Sequence, residues 1–311
     1  MATYFLKRLL QALGVIFTIS LITFFILNIV PGDPVQLMLG DFATPEAIEA
    51  YRHQMGLDKP VVVQYFNWLG GMLTGDFGTS YYKHTAVLTL LSSAFTITFK
   101  LAIFSYILAL IIGLTFGILA AVMHNSAVDR ILMTLAVTGI SAPNFWIAII
   151  LQIVFALTLG WFPLSGTSSW QAYVLPAIAL GLRYAASIAR ITRTSMLEVM
   201  QQDYMRTARA KGLGKITIIM RHAFRNALVP VITVAGTDLG NILTGSMLIE
   251  TVFAINGIGK LLVDAINQRD LPLVQGGVMY IAVICVVIYF IVDMLYAVID
   301  PRIRVSGGSS K

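Results

Sequence analysis

The chain has 311 residues, of which 58% are hydrophobic and only 12% are charged. Because about a quarter of the residues of an ordinary soluble protein are charged, this composition predicts an integral membrane protein. The net charge of +6 comes from basic residues beside apolar runs rather than in aromatic-interleaved patches, which favours membrane topology and excludes nucleic acid as a partner. The single cysteine, Cys285, excludes an internal disulfide and a thiolate metal cluster.

Six apolar segments are long enough to cross a hydrocarbon core of about 30 Å, which takes about 20 helical residues. We predict membrane spans at residues 9–30, 101–123, 131–159, 172–192, 227–249 and 278–299. The first is too long for a secretory signal and is followed by no small-residue cleavage site, so it is predicted to be retained. Most lysines and arginines fall on the side of the N-terminus. The predicted fold class is therefore an all-α membrane protein with six transmembrane helices and both termini in the cytoplasm.

Between the first two spans lies an extracytoplasmic segment, residues 31–95, which is too long for a simple loop and is predicted to be structured. Thr44, Pro45 and Glu46 are typical of a helix start, with a capping hydroxyl, a proline and an acid in the first turn. Gly56 is expected to end that helix. Apolar residues then recur at helical spacing: Val62, Tyr65, Phe66, Leu69, Met72 and Leu73. This second helix is expected either to lie along the outer membrane surface or to pack against the spans.

The loop between the fourth and fifth spans, residues 193–226, is strongly basic. Asp203 offers an acceptor to free N–H groups and Gly212 suits the left-handed end of a helix, which predicts a short helix over Tyr204–Lys211. Positive-inside topology and attraction to anionic lipid explain the charge of this loop but not its capped helix. Small residues such as Ala208 would permit close approach of a partner, so the pattern favours a docking element.

Ionisable residues are few inside the predicted spans, and each is costly in hydrocarbon. Arg183 in the fourth span and Asp238 in the fifth lie at matching depths above the inner basic residues, which predicts that the two meet inside the membrane. The alternative is that both face a wet pathway, with Arg183 toward a peptide carboxylate and Asp238 toward its amine. Asp293, near the inner end of the sixth span, is predicted only to reach the interface.

Glycines and prolines inside the spans predict how the helices pack and bend. Pro143 and Pro230 remove backbone hydrogen bonds and should kink the third and fifth spans. Small residues four apart, which allow close helix contact, occur twice: Gly113 with Gly117, and Gly236 with Gly240. Kinked spans with small contact residues suit a pathway that moves, although static bundles contain them as well.

Several motifs recur in a fixed order along nearly the whole chain. They are PGDP at residues 31–34, GLDKP at 56–60, QY at 64–65, GDFG at 75–78, the basic segment at 203–212, ETVFAINGIG at 250–259, DLPLVQ at 270–275 and DPR at 300–302. In this order they resemble the dipeptide, oligopeptide and nickel branch of ABC importer permeases, the binding-protein-dependent inner membrane components, and in particular its B-type subunit. One departure is Asn256, which stands where the branch usually has proline.

The resemblance implies a permease that forms half of a translocation pathway for di- or oligopeptides, with nickel complexes or glutathione as alternative cargo. It implies residues 1–30 as N-terminus and first span, and residues 96–311 as a permease core with five spans. The implied partners are a second homologous permease, two cytoplasmic ATPase subunits that bind ATP and Mg²⁺, and an extracytoplasmic solute-binding protein, in a bacterial or archaeal cell membrane. The implied ATPase-coupling helix comprises Tyr204, Met205, Arg206, Thr207, Ala208, Arg209, Ala210, Lys211, Gly212 and Leu213.

Other function classes find less support in the sequence. The run Asn256–Lys260 differs from a phosphate-binding loop, because Ala254 and Leu261 stand where glycine and Ser or Thr are needed. ATP hydrolysis is therefore expected in a partner subunit. A stand-alone secondary transporter remains the alternative of another class, and it would need ion-coupling carboxylates or inverted repeats. The four histidines lie far apart in separate loops, so neither a metal site nor an intramembrane enzyme is predicted.

Overall fold

The computed structural model describes residues 2–29, 35, 39, 43–54, 56–244 and 246–299. The motifs at residues 31–34 and 300–302 lie outside the described residues. The helices are α1 (Ala2–Ile29), α2 (Pro45–Gln54), α3 (Val61–Thr74), α4 (Val87–Val122), α5 (Ala127–Ser141), α6 (Asn144–Thr158), α7 (Trp170–Met200), α8 (Asp203–Ala210), α9 (Lys215–Thr244), α10 (Met247–Val252), α11 (Ile258–Asn267) and α12 (Leu271–Ile299). The prediction of a helical membrane protein is confirmed.

Five helices of the described part are long and apolar enough to cross a membrane, namely α1, α4, α7, α9 and α12. The sixth predicted span, residues 131–159, is present as the pair α5 and α6, which is bent by 107°. Ala142 at the break is extended, with φ −77° and ψ 137°, because a residue before proline is driven out of the helical region. The kink predicted at Pro143 is therefore a complete break, whereas α9 continues through Pro230.

The centre of the bundle is the contact of α4 with α7, which glycines bring to backbone distance. A Cβ atom built at Gly113 would lie 2.7 Å from the carbonyl oxygen of Ala185, and one at Gly117 would lie 2.7 Å from that of Ala189. The close contact predicted for Gly113 and Gly117 is confirmed. In the second predicted pair, Gly240 lies against the ring of Tyr289 on α12.

The outer segment begins with the predicted first helix. Thr44 Oγ1 accepts a hydrogen bond from the Ala47 N–H at 3.3 Å, α2 starts at Pro45, and Gly56 has a left-handed φ of +66°. The predicted start and end of this helix are confirmed. Both signals act between residues close in sequence, which is why the sequence could predict them.

The second outer helix, α3, packs against a span, which is one of its two expected arrangements. Tyr65 is buried, its hydroxyl lies 2.8 Å from Ser20 Oγ, and its ring packs edge-on against Phe24 of α1. Phe66 and Leu73, which lie roughly a quarter turn from Tyr65 around the helix, are 62% and 81% exposed. The helix therefore packs against a span through Tyr65 and leaves large apolar side chains beside that contact exposed.

The first and last spans pack side by side. Phe5 and Phe290 make an edge-to-face contact, with ring centroids 5.3 Å apart. Arg8 Nη1 lies 3.0 Å from Asp293 Oδ2. Asp293 was predicted only to reach the membrane interface. The structure instead pairs it with Arg8, a contact between residues too far apart in sequence for a local pattern to predict.

Candidate functional site

The predicted coupling helix is present as α8, between the inner ends of α7 and α9. Its N-cap is Gln202, which makes no side-chain cap hydrogen bond, and Asp203 is the first helical residue. The prediction that Asp203 caps this helix is therefore wrong, and its carboxylate lies 3.7 Å from Arg206. The predicted terminator is confirmed, since Gly212 has φ +73° and its N–H donates to the carbonyl of Arg209.

One face of α8 is buried within the chain. Met205 is fully buried and Ala208 is 6% exposed, three residues further on the same side. Met205 belongs to a cluster drawn from α4, α7 and α9 that also contains Ala121, Met196, Ile218, Ala223 and Ala227. Ala208 was predicted to permit close approach of a partner, and in the described structure its small side chain is instead covered by this chain.

The other face of α8 and the turn after it are exposed. The exposed members of the predicted coupling set are Tyr204, Arg206, Thr207, Arg209, Ala210, Lys211, Gly212 and Leu213. They form a surface with three basic side chains and two larger apolar or aromatic ones. This surface is connected through the buried face of α8 to the inner ends of three membrane helices.

A charged clamp that the sequence reading missed holds the neighbouring inner turn. Arg193 on α7 donates from Nε to Asp129 Oδ1 at 2.6 Å and from Nη2 to Asp129 Oδ2 at 2.8 Å. Asp129 Oδ2 also accepts from the Asn125 N–H and lies 3.4 Å from His124 Nδ1. Ser126 caps α5 by accepting from the Asp129 N–H, so an S-x-x-D capping pattern was the available signal.

Breaking this clamp is expected to destabilise the chain. The Asp129 side chain is only 4% exposed, so Arg193→Gln leaves a buried carboxylate without its main partner and should cost about 3 kcal/mol of unfolding free energy. A double-mutant cycle with Asp129→Asn, followed by thermal unfolding in detergent, should show strong coupling. The exposed pair Asp203 and Arg206 is the matched control, with little coupling expected. Equal coupling in both cycles would contradict a structural clamp.

A second buried carboxylate organises the outer loop of the ETVFAINGIG motif. Glu250 is fully buried at 0% exposure and accepts from the Thr98 hydroxyl at 2.6 Å and from the Lys260 N–H at 3.0 Å. The Thr98 oxygen in turn accepts from the Ile258 N–H at 2.8 Å. A Cβ atom built at Gly257 would lie 2.5 Å from the Glu250 carboxylate oxygens. The motif thus ties α4 to the start of α11.

A third carboxylate, Asp270, joins the outer segment to the start of α12. Its side chain accepts from the Ser80 hydroxyl and from the Tyr81 N–H, and its Oδ1 also accepts from the Leu273 N–H in the first turn of α12. Burial, and then the nearby Asp270 carboxylate, raise the pKa of the Tyr81 hydroxyl to about 12, so this phenol stays neutral at physiological pH. The DLPLVQ motif therefore fastens the outer segment to the bundle.

The predicted intramembrane residues line one cavity of about 530 Å³ between α7 and α9. Its polar lining includes Arg183, Ser187, Arg190, Asp238, Asn241 and Thr244. Arg183 and Asp238 are thus brought together, but no ion pair within 4.0 Å joins them in the described ranges. Asp238 Oδ2 is buried without a hydrogen-bond partner. The ion pair predicted first is not formed in these ranges, where the two residues line one cavity and interact electrostatically without direct contact.

Fold and motifs together define a membrane permease, and comparison with known proteins gives its family. Residues 113–305 match the family described as the binding-protein-dependent transport system inner membrane component, and residues 1–102 match its N-terminal region. The chain belongs to this family. It is a multi-pass permease subunit of a binding-protein-dependent ABC importer in the bacterial inner membrane.

Two relatives and one solved structure illustrate the similarity. The glutathione transport system permease protein GsiC of Salmonella typhimurium is 42% identical over 304 residues, which cover 98% of this chain and 99% of that protein. The GsiC protein of Escherichia coli K12 is 41% identical over the same extent. A structure titled as an inward-facing conformation of the MetNI methionine ABC transporter has a TM-score of 0.58 at 20% identity, covering 68% of this chain and 96% of the other. The last similarity concerns the fold alone.

Proposed function

We propose that this permease imports glutathione or chemically similar short peptides. The observation that carries the proposal is the 42% identity to a glutathione permease along nearly the full length of both chains. The dipeptides and oligopeptides predicted from the sequence motifs, and nickel complexes, are the competing cargoes of the same architecture. The polar cavity between α7 and α9 supports a hydrophilic cargo. Charged and amide side chains inside a membrane bundle are costly unless they face water or a polar ligand.

The partners follow the same proposal. A second homologous permease supplies the other half of the pathway, and a solute-binding protein delivers cargo to the outer surface built from residues 43–95 and Glu250–Gln275. Two cytoplasmic ATPase subunits bind ATP and Mg²⁺ and supply the energy. In support, Arg183 and Arg190 are exposed in the single chain although they lie within a membrane helix. Charged side chains at membrane depth are costly in lipid, so this surface must contact a second protein chain or water.

The proposed coupling mechanism uses the two faces of α8. Its exposed face, around Tyr204 and Arg209, docks on an ATPase subunit, and its buried face holds Met205 against α4, α7 and α9. Closure of the ATPase dimer on ATP binding then displaces the inner ends of three spans together, because a packed cluster moves as a unit. The spans in turn rock between outward-open and inward-open states.

Reversing a charge on the docking face should uncouple ATP hydrolysis from transport. We expect Arg209→Glu to lower the stimulation of ATPase activity by loaded binding protein at least about fivefold, since a repulsive interfacial charge costs more than 1 kcal/mol. Gly212→Val should act similarly, because φ +73° is strained for a β-branched residue. The amount of inserted permease should not change.

The matched control is Lys83→Glu, the same charge reversal on an exposed residue of the outer segment. Ala208→Leu serves as a second contrast, because it overpacks the buried face of α8 and should reduce the amount of folded permease rather than uncouple it. Undiminished stimulation in both Arg209→Glu and Gly212→Val would remove this loop as the coupling element.

The cargo is tested by reconstitution of the complete importer in proteoliposomes. We expect ATP-dependent uptake of labelled glutathione that requires the binding protein and is competed only weakly by a simple dipeptide. The control is the same preparation loaded with a non-hydrolysable ATP analogue. Robust uptake of a dipeptide or a nickel complex without uptake of glutathione would overturn the cargo assignment while leaving the permease class intact.

A further inference from the structure

Two neighbouring helices carry polar stripes at membrane depth. On α7 the stripe consists of Arg183, Ser187 and Arg190, spaced four and three residues apart and therefore on one face. On α9 it consists of Asp238, Asn241 and Thr244, with the same three-residue spacing. The two stripes face each other across the cavity of about 530 Å³. A lipid-facing stripe of this polarity would be unstable, so these side chains face water or another chain of the importer rather than lipid.

The charged groups of this cavity form no hydrogen bond or ion pair among the described residues, although Arg183 attracts Asp238 electrostatically. The side chains of Arg183 and Arg190 make no hydrogen bond or ion pair there, and Asp238 Oδ2 is buried without a hydrogen-bond donor. By contrast, the amide of Asn241 is oriented, because its Oδ1 accepts from the Tyr289 hydroxyl at 2.8 Å. The cavity therefore offers two guanidinium groups and one carboxylate without direct hydrogen-bond or ion-pair contacts in the described part, beside one oriented amide.

We propose that this cavity is a cargo-contact site within the membrane, selective for short peptides that carry two carboxylates and one amine. Arg183 and Arg190 each bind one carboxylate, since a guanidinium matches a carboxylate with two parallel hydrogen bonds. Asp238 binds the ammonium group. The proposal rests on the proposed function, because glutathione has two carboxylates and one free amine.

The charge count decides between cargo classes. A cargo with two carboxylates and one ammonium pairs every charge in the cavity, whereas an ordinary dipeptide leaves one arginine without a counter-charge. The extra carboxylate adds one charge-assisted pair with a guanidinium, and a cargo with a single carboxylate cannot form that pair. The site acts during passage, after the binding protein has released the cargo, and thus adds a second selection step.

The test compares uptake of glutathione with uptake of its glycine amide, which lacks one carboxylate, in proteoliposomes that hold the complete importer. Arg183→Gln and Arg190→Gln are each compared with the parent protein for each cargo. Because the same binding protein delivers a given cargo to both, its affinity cancels in the variant-to-parent ratio. We expect at least one of the two variants to lose about tenfold in glutathione uptake and less than threefold in uptake of the amide.

Arg130→Gln is the matched control, because Arg130 is an exposed arginine of α5 that does not line the cavity. It should leave both ratios near one. Equal losses for both cargoes in the Arg183 and Arg190 variants would overturn the proposal in favour of a role in assembly with the second permease. Unchanged uptake of both cargoes would also overturn it.

A second measurement does not depend on removing an arginine. Ser187→Cys in a Cys285→Ser background places a single thiol in the wall of the cavity. A charged, water-soluble thiosulfonate should form a mixed disulfide with it in the assembled importer held with its pathway open. S-methylglutathione, which keeps two carboxylates and one amine but has neither a thiol nor a disulfide to exchange, should slow this labelling more than a peptide amide without carboxylates does. Absence of labelling, or equal protection by both compounds, contradicts the site.

Failure of the cargo assignment is distinguishable from failure of this proposal. If the importer transports a dipeptide but not glutathione, the proposed function fails. The cavity is then tested with an acidic dipeptide, which has two carboxylates and one amine, against its mono-amide in the same variant-to-parent ratios. Selective loss for the acidic dipeptide supports the site, and uniform loss contradicts it.

Discussion

Replacing Gly117 by valine is expected to lower strongly the amount of folded permease. A Cβ atom at this position would lie 2.5 Å from Thr192 Cβ and 2.7 Å from the carbonyl oxygen of Ala189. The carbonyl belongs to the backbone of α7, so the clash is relieved only by separating α4 from α7 along the central contact of the bundle. Overpacking usually costs about 1–3 kcal/mol, and a backbone clash lies at or above the upper end, against a total stability of about 5–15 kcal/mol.

The measurement is the yield of monodisperse protein after extraction, together with its unfolding temperature in detergent. Gly14→Val is the matched control, because Gly14 also lies within a membrane helix and a Cβ there meets nothing within 4 Å. The two substitutions change helix propensity by the same amount, so their difference isolates the contact. Equal yields and melting temperatures would show that α4 and α7 are not packed in this way.

Replacing Glu250 by alanine is the second change with a large expected effect. It leaves the Thr98 hydroxyl and the Lys260 N–H without their acceptor in a fully buried site. Each unsatisfied buried group costs about 1–3 kcal/mol, so we expect a loss of about 4 kcal/mol in unfolding free energy, including the cavity left behind. Glu250→Gln keeps one acceptor oxygen and should lose less. Thermal unfolding of the purified variants measures both.

Gly257 provides an internal check on this site. Gly257→Ala alone places a methyl group against the Glu250 carboxylate, so it should destabilise the outer loop. In the double variant with Glu250→Ala the obstacle is gone, and the combined loss should be smaller than the sum of the two single losses. Glu49→Ala on the exposed side of α2 is the control and should change little. Strictly additive losses would mean that Glu250 and Gly257 do not share this space.

These two sites give a structural reason for two of the motifs found in the sequence. In ETVFAINGIG, the glutamate needs the later glycine, because only a residue without a Cβ leaves room for the buried carboxylate. In DLPLVQ, Asp270 both caps α12 and binds the backbone of Tyr81 in the outer segment. Both motifs stabilise contacts between elements on the outer side of the bundle, and their buried carboxylates accept hydrogen bonds within the chain.

The sequence by itself determined the features that depend on neighbouring residues. Apolar segments of spanning length predicted a helical membrane protein, and capping residues placed the start of α2 at Pro45 and the turn after α8 at Gly212. Gly113 and Gly117 predicted close helix contact because glycine has no side chain, so another helix can approach its backbone closely. Each of these signals acts within one or two helical turns, so no knowledge of the rest of the chain was needed.

Only the tertiary structure decided which residues meet across the bundle. The burial of Ala208, the contacts of Asp129 with Arg193 and those of Glu250 with Thr98 all depend on neighbours distant in sequence. Depth along two helices could place Arg183 and Asp238 at one level, but depth does not fix rotation about the helix axes. Helix packing sets that rotation, and in the described structure both side chains line a common cavity without forming an ion pair.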